Sequence, residues 1–94
     1  MWRDVITDVR FARAPDGDRV RGLLAYASYR FGDLFIDGLA VRRSLGGRLA
    51  VAFPARRDGA GRQHPYVEPR DPATRRAIEA AIVAAYRAET GGAR

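Results

Sequence analysis

Six arginines in the second half of the chain are the residues best suited to bind a charged ligand. They are Arg56, Arg57, Arg62, Arg70, Arg75 and Arg76. The planar guanidinium group binds phosphate in a bidentate manner, and its charge does not titrate away. Arginines near the start of a helix oppose the helix dipole, whereas a phosphate there is favoured both by them and by the free N–H groups. The cluster therefore predicts a phosphate-binding surface, most simply one for nucleic acid.

The charge balance of the chain agrees with an acidic partner. Its 94 residues include 17 arginines, no lysine and 11 acids, which gives a formal net charge of +6 at pH 7. Residues 48–76 hold seven of the arginines against three acids. Two simpler causes of this charge stay open, because exposed arginines often only solvate a surface and because a chain rich in arginine, alanine and glycine is typical of GC-rich coding.

No other group of residues in the sequence indicates catalysis, a metal site or a cofactor. His64 is the only histidine, and nothing in the spacing links it to Ser28 or Ser44 as a base would be linked to its nucleophile. Asp16 and Asp18 resemble half of a calcium loop without its glutamate. The absence of cysteine excludes zinc–thiolate sites and disulfides, and the glycines match no phosphate-binding fingerprint. We therefore expect no enzymatic activity, no cofactor, and a surface loop position for His64.

The pattern of apolar residues predicts four strands before the basic cluster. We expect them at about residues 5–13, 19–29, 34–42 and 48–53. In the first strand one face is formed, at period two, by Val5, Thr7, Val9 and Phe11. Gly38 indicates a bulge or a close backbone approach in the third strand. The short turns between strands, such as that at residues 14–18, favour antiparallel neighbours.

The basic cluster itself spans a loop and the start of a helix. Pro54 ends strand pairing, and further prolines and glycines predict an irregular, exposed loop over residues 54–70, with Tyr66-Val67 as a possible short strand. Asp71 is a good N-cap and Pro72 suits the first helical position, so a helix is expected at about residues 72–89. Its apolar stripe consists of Ile78, Ile82 and Tyr86.

These elements predict an α+β fold in a single domain spanning residues 1–94. The sheet is expected to be a four- to five-stranded antiparallel meander with one C-terminal α-helix on one face. The other face and the edge strands then need protection, which favours a homodimer. No apolar run reaches the roughly 20 residues of a membrane span, and no signal peptide pattern opens the chain, so we expect a cytoplasmic location without membrane contact.

The order of these motifs resembles the septation protein SpoVG family (stage V sporulation protein G). The similar segments are ITDVR at residues 6–10, the turn Pro15-Asp16-Gly17 and LAVAFPARR at residues 49–57, followed by Gly61, Pro69 and the pair Thr74-Arg75. The similarity covers roughly residues 6–87. The chain departs from the family pattern at Glu68, where relatives usually have the histidine of a His-Pro pair.

The resemblance implies a small, usually dimeric bacterial protein with an antiparallel sheet and a C-terminal helix. It also implies a regulator that binds DNA and RNA site-selectively, in septation, sporulation or virulence gene expression. Arg56 and Arg57 match the family's basic pair, and Arg75 and Arg76 lie at the helix start that the family associates with nucleic-acid contact. A dimeric module that binds another protein, and not nucleic acid, is the alternative that the residues leave open.

Overall fold

A four-stranded antiparallel meander forms the body of the protein. The computed structural model describes residues 6–91. The main sheet contains, in spatial order, β1 (Ile6–Arg13), β2 (Leu23–Phe31), β3 (Leu34–Arg43) and β4 (Leu49–Ala52). The other elements are α1 (Asp16–Arg19), a hairpin of β5 (Ala55–Arg57) and β6 (Gln63–Pro65), and the long helix α2 (Pro72–Glu89). The predicted α+β class is confirmed, with four strands in the main sheet.

Helix α2 has the bounds that the sequence predicts, because its first-turn signals are local. The Asp71 carboxylate accepts a hydrogen bond of 2.8 Å from the Thr74 amide, and Pro72 follows at the first helical position. Hydrogen bonds from the Thr74 amide and hydroxyl, together with the Arg70 charge, hold the pKa of Asp71 below its usual value. The helix therefore starts at a fixed point relative to the sheet.

The core lies between α2 and one face of the main sheet. The predicted stripe of Ile78, Ile82 and Tyr86 is buried there. The Tyr86 ring meets Phe11 of β1 edge to face, with centroids 5.3 Å apart. The largest fully buried side chains are Leu24, Leu39, Val41 and Ile82. One helix thus covers one face, as expected from a single apolar stripe.

A bulge in β1 changes the predicted alternation of its side chains. The pairing register with β2 shifts between Thr7 and Arg10, and Asp8 has a φ of 51°. Val9 and Phe11 pack against the core as predicted, but Thr7 is exposed because the bulge moves it off that face. Val5 lies outside the described residues. The predicted bulge in β3 is confirmed at Gly38, which has a φ of +83°.

The connection between β1 and β2 is more structured than predicted. The turn expected at residues 14–18 continues into α1, where the Pro15 carbonyl accepts the amides of Asp18 and Arg19. The second strand consequently begins at Leu23 and not at Arg19. This prediction was wrong because the polar run after Pro15 satisfies its backbone in a helical turn before the chain enters the sheet.

The segment from Pro54 to Arg70, predicted to be irregular, contains the β5–β6 hairpin. Tyr66 and Val67 do not form a strand, because the pairing occurs three residues earlier, at Gln63–Pro65. The Tyr66 amide instead donates to the Pro54 carbonyl at 2.9 Å and closes the base of the hairpin. Within residues 6–91, no helix is both long and apolar enough to cross a membrane.

Candidate nucleic-acid interface

The β5–β6 hairpin carries three of the six predicted site arginines. Arg56 lies opposite His64, and Arg57 lies opposite Gln63. Paired residues of antiparallel strands share a face and consecutive residues alternate, so Arg56 and Arg57 occupy opposite faces of this two-stranded ribbon. Both residues are exposed, and Arg62 lies in the turn with its side chain 78% exposed. The hairpin therefore presents guanidinium groups on both faces and near its tip.

Asp58 organises the tip of the hairpin. Its Oδ1 atom accepts the amides of Ala60 and Arg62, each at 2.9 Å. Its Oδ2 atom lies 2.6 Å from His64 Nε2 and 3.5 Å from Arg62 Nε. The hydrogen bond with His64, and then that from the Arg62 amide, hold the pKa of Asp58 below its usual value. His64 is thus a strand residue with a carboxylate partner, and not the loop residue that the sequence predicts.

Acidification is expected to loosen the hairpin tip while the main sheet stays folded. Because folding lowers the pKa of Asp58, its carboxylate stabilises the hairpin above the ordinary carboxyl pKa of about 3.9. That stabilisation is lost as the pH falls through the lowered value. The amide resonances of Ala60 and Arg62, followed by NMR from pH 7 downward, should therefore shift together with a midpoint below about 3.9.

The variant Asp58→Ala should give the acid form of the tip at neutral pH. We expect faster amide exchange at Ala60 and Arg62 and an almost unchanged melting temperature, since no hairpin residue belongs to the core. Asp16→Ala is the matched control, because Asp16 is an exposed carboxylate paired with Arg13 far along the chain from the tip. Equal exchange in the two variants would contradict the role assigned to Asp58.

The remaining site arginines lie around the start of α2. Arg70 and Arg75 line a shallow depression of about 310 Å³ together with Glu68 and Asp71. Arg70 is 90% exposed, and its Nε lies 3.6 Å from Asp71 Oδ2. The start of α2 combines three arginines, Arg76 included, with two acids, whereas the hairpin combines three arginines with one acid.

Arg75 also has a structural role that the sequence does not reveal. Its guanidinium group donates to the Val51 carbonyl at 3.4 Å and lies 5.1 Å from the centre of the Phe53 ring. Glu79, one turn further along α2, accepts the Val51 amide at 2.8 Å. The helix thereby covers part of the free edge of β4. Arg76 is exposed and forms no side-chain hydrogen bond or ion pair with residues 6–91.

An apolar groove of about 440 Å³ lies between the end of the β2–β3 hairpin and the segment before α2. It is lined on the sheet side by Phe31, Leu34 and Ile36, and on the other side by Val67 and Pro69. Leu34 and the neighbouring Phe35 are 61% and 66% exposed. No local pattern in the sequence indicates this groove, since its two walls are 31 or more residues apart in the chain.

The described residues suggest no metal centre. Within residues 6–91, no three histidine or acidic side chains come close enough together to hold an ion. Comparison with known proteins adds no assignment, because no family model matches this chain and no curated protein matches it.

Proposed function

We propose that this chain is a small cytoplasmic regulatory protein that binds DNA or RNA as a homodimer, as its resemblance to the SpoVG family implies. Arg56, Arg57 and Arg62 contact phosphates from the hairpin. Arg70, Arg75 and Arg76 support them from the start of α2. The observation that carries this proposal is the orientation of the charged side chains of the hairpin.

The hairpin directs its one carboxylate inward and its guanidinium groups outward. The Asp58 side chain is only 21% exposed and its oxygens are occupied by two amides, His64 and Arg62. The Arg57 guanidinium group donates one hydrogen bond to the Gly61 carbonyl, at 3.0 Å. Its other N–H groups are available to a ligand. A phosphate approaching this hairpin therefore meets positive charge without an opposing exposed anion at the tip.

The arginines near α2 act in a supporting role. Glu68 and Asp71 reduce the positive potential there, and Asp71 already accepts the Thr74 amide that a phosphate would otherwise contact. Arg75 is held by Val51 and Phe53, although part of its guanidinium group remains accessible. We accordingly assign most of the phosphate contact to the hairpin.

Binding is expected to weaken steeply with salt. If each subunit neutralises about three phosphates, a dimer neutralises about six, and the slope of log K against log salt should be about −5. Raising the salt from about 50 to 200 mM would then lower the affinity about 1,000-fold. Fluorescence anisotropy with labelled duplex DNA, single-stranded DNA and RNA measures this slope, and a slope near zero for all three would contradict the proposal.

A dimeric protein-interaction module is the second candidate, and the apolar groove favours it. The exposed side chains of Phe31 and Leu34 line the groove of about 440 Å³ and form a surface that suits an apolar partner side chain. This candidate predicts a partner that stays bound after nuclease digestion, with an affinity that depends little on salt. Nucleic-acid binding predicts that nuclease digestion releases the ligand and that the affinity falls steeply with salt.

A further inference from the structure

The β5–β6 hairpin projects from the body of the protein as a separate ribbon. Within residues 6–91, its two strands pair with each other and with no strand of the main sheet. No residue of the hairpin, from Ala55 to Pro65, belongs to the hydrophobic core or to the partly buried residues packed against it. The hydrogen bond from the Tyr66 amide to the Pro54 carbonyl closes the base, and Asp58 fixes the tip. The ribbon is therefore accessible on both faces without being unstructured.

The placement of Arg56 and Arg57 on opposite faces limits how the ribbon can bind. A nucleic acid lying flat against one face would contact one of these side chains and leave the other pointing away. Arg56 and Arg57 can contact phosphates at the same time only when phosphates lie on both sides of the ribbon. The two walls of a groove in a double helix provide that arrangement.

The dimensions of the ribbon select one groove. Two paired strands are about 4.8 Å apart, and three residues extend about 10 Å. The major groove of B-form DNA is about 12 Å wide and about 8.5 Å deep, and it admits a two-stranded ribbon. The minor groove, at about 6 Å, is too narrow for the ribbon with its side chains. The major groove of A-form RNA is deep and too narrow for side chains to read.

We propose that the β5–β6 ribbon enters the major groove of B-form duplex DNA tip first. Arg56 and Arg57 then contact phosphates on the two opposite walls. Arg62, in the turn, is carried toward the base edges, where its guanidinium group exchanges its phosphate contact for the O6 and N7 atoms of guanine. The third phosphate of each subunit is then contacted by the supporting arginines at the start of α2. This inference deepens the proposed function and depends on it, since it names duplex DNA as the ligand of the hairpin.

The test compares probes of one sequence that differ in which groove is open to the ribbon. Anisotropy is measured with the full chain on one DNA duplex, on the same duplex with glucosylated 5-hydroxymethylcytosine filling the major groove, and on the plain duplex with netropsin filling the minor groove. The same sequence as duplex RNA and as single-stranded DNA and RNA completes the set. We expect glucosylation and the change to duplex RNA each to weaken binding at least tenfold, and netropsin to leave it within about twofold.

Three results would overturn this inference in distinguishable ways. Equal affinity for glucosylated duplex, duplex RNA or single strands, still lost in Arg56→Ala/Arg57→Ala, would leave nucleic-acid binding in place and exclude the major groove. No binding to any probe at low salt by the folded protein would remove the proposed function as well. Competition by netropsin without an effect of glucosylation would also reject the major groove.

The role of Arg62 is tested separately by selection from a random duplex pool. Wild-type protein is expected to enrich a guanine at a fixed position, and Arg62→Ala should lose that preference about tenfold or more. Arg62→Ala should retain binding to phosphates through Arg56 and Arg57. The same guanine enriched equally by both proteins would show that another residue reads the base and would overturn the tip-first orientation.

Discussion

Replacing Arg56 and Arg57 together with alanine is expected to lower the affinity for duplex DNA about 60-fold per subunit at about 0.1 M salt. Each neutralised phosphate contributes about 0.9 decades of affinity between about 1 M and 0.1 M salt, so two lost contacts remove about 1.8 decades. In a dimer with both hairpins bound, the loss approaches about 4,000-fold, and the salt slope should fall from about −5 to about −2. Anisotropy across a salt series measures both quantities.

The matched control is the variant Arg10→Ala/Arg42→Ala, which removes the same charge from another surface. Arg10 pairs with Ser28, and Arg42 pairs with Ala50, on the face of the main sheet that α2 does not cover. Both arginines are exposed, so their loss should leave the free energy of unfolding within about 0.5 kcal/mol. If this control weakened binding as much as the hairpin variant, affinity would follow total charge and the hairpin would not be the site.

The elements that sequence predicts best are those specified by adjacent residues. Helix α2 is predicted at residues 72–89 because Asp71 caps it, Pro72 fits its first turn, and the spacing of Ile78 and Ile82 suits one buried face. The four strands of the meander are predicted nearly as well, since short turns leave antiparallel pairing as the only arrangement. For these elements local preference and tertiary packing agree.

The hairpin is harder to predict, because its stability comes from contacts across several residues. A sequence containing Pro54, Gly59 and Gly61 is typical of an irregular loop. Its pairing is instead fixed by the Asp58 side chain, which bonds to backbone and to His64 six residues away. The spacing Asp58–Arg62–His64 was the one available signal. The prediction thus found the basic residues but not the ribbon that separates Arg56 from Arg57.

Contacts between distant segments explain the remaining differences. The bulge at Asp8 is set by pairing between β1 and β2, and no residue before it signals that Thr7 leaves the core face. Arg75 contacts Val51 and Phe53, which lie 22 or more residues before it in the chain, and these contacts join α2 to the end of β4. Arg75 therefore contributes both to the predicted site and to the protection of a strand edge. An Arg75→Ala variant would change binding and stability together, so the two contributions could not be separated.

The fold itself is expected to be most sensitive at Gly22, where Gly22→Ala should lower the free energy of unfolding by about 2–5 kcal/mol. Gly22 has a φ of +100°, and an alanine Cβ there would lie 2.6 Å from the Arg43 carbonyl oxygen. The positive φ costs about 1–2 kcal/mol for an L-residue and the overpacking about 1–3 kcal/mol. Relief by movement is blocked, because the Gly22 carbonyl accepts the Arg43 amide at 2.7 Å. For a domain of this size the melting temperature should fall by about 10–30 °C.

Gly47→Ala separates the two causes of this loss. Gly47 has a similar φ of +85°, but no atom lies within 4 Å of the position its Cβ would take, so only the backbone term of about 1–2 kcal/mol applies. Urea unfolding of both variants gives the difference, which isolates the contact between the β2 entry and Arg43. Equal decreases in the free energy of unfolding would mean that the β3 backbone shifts at Arg43 to accommodate the alanine. The close contact between Gly22 and Arg43 would then not constrain the sheet. If the free energy of unfolding falls more in Gly22→Ala than in Gly47→Ala, the close contact between Gly22 and Arg43 is what fixes the start of β2 at Leu23.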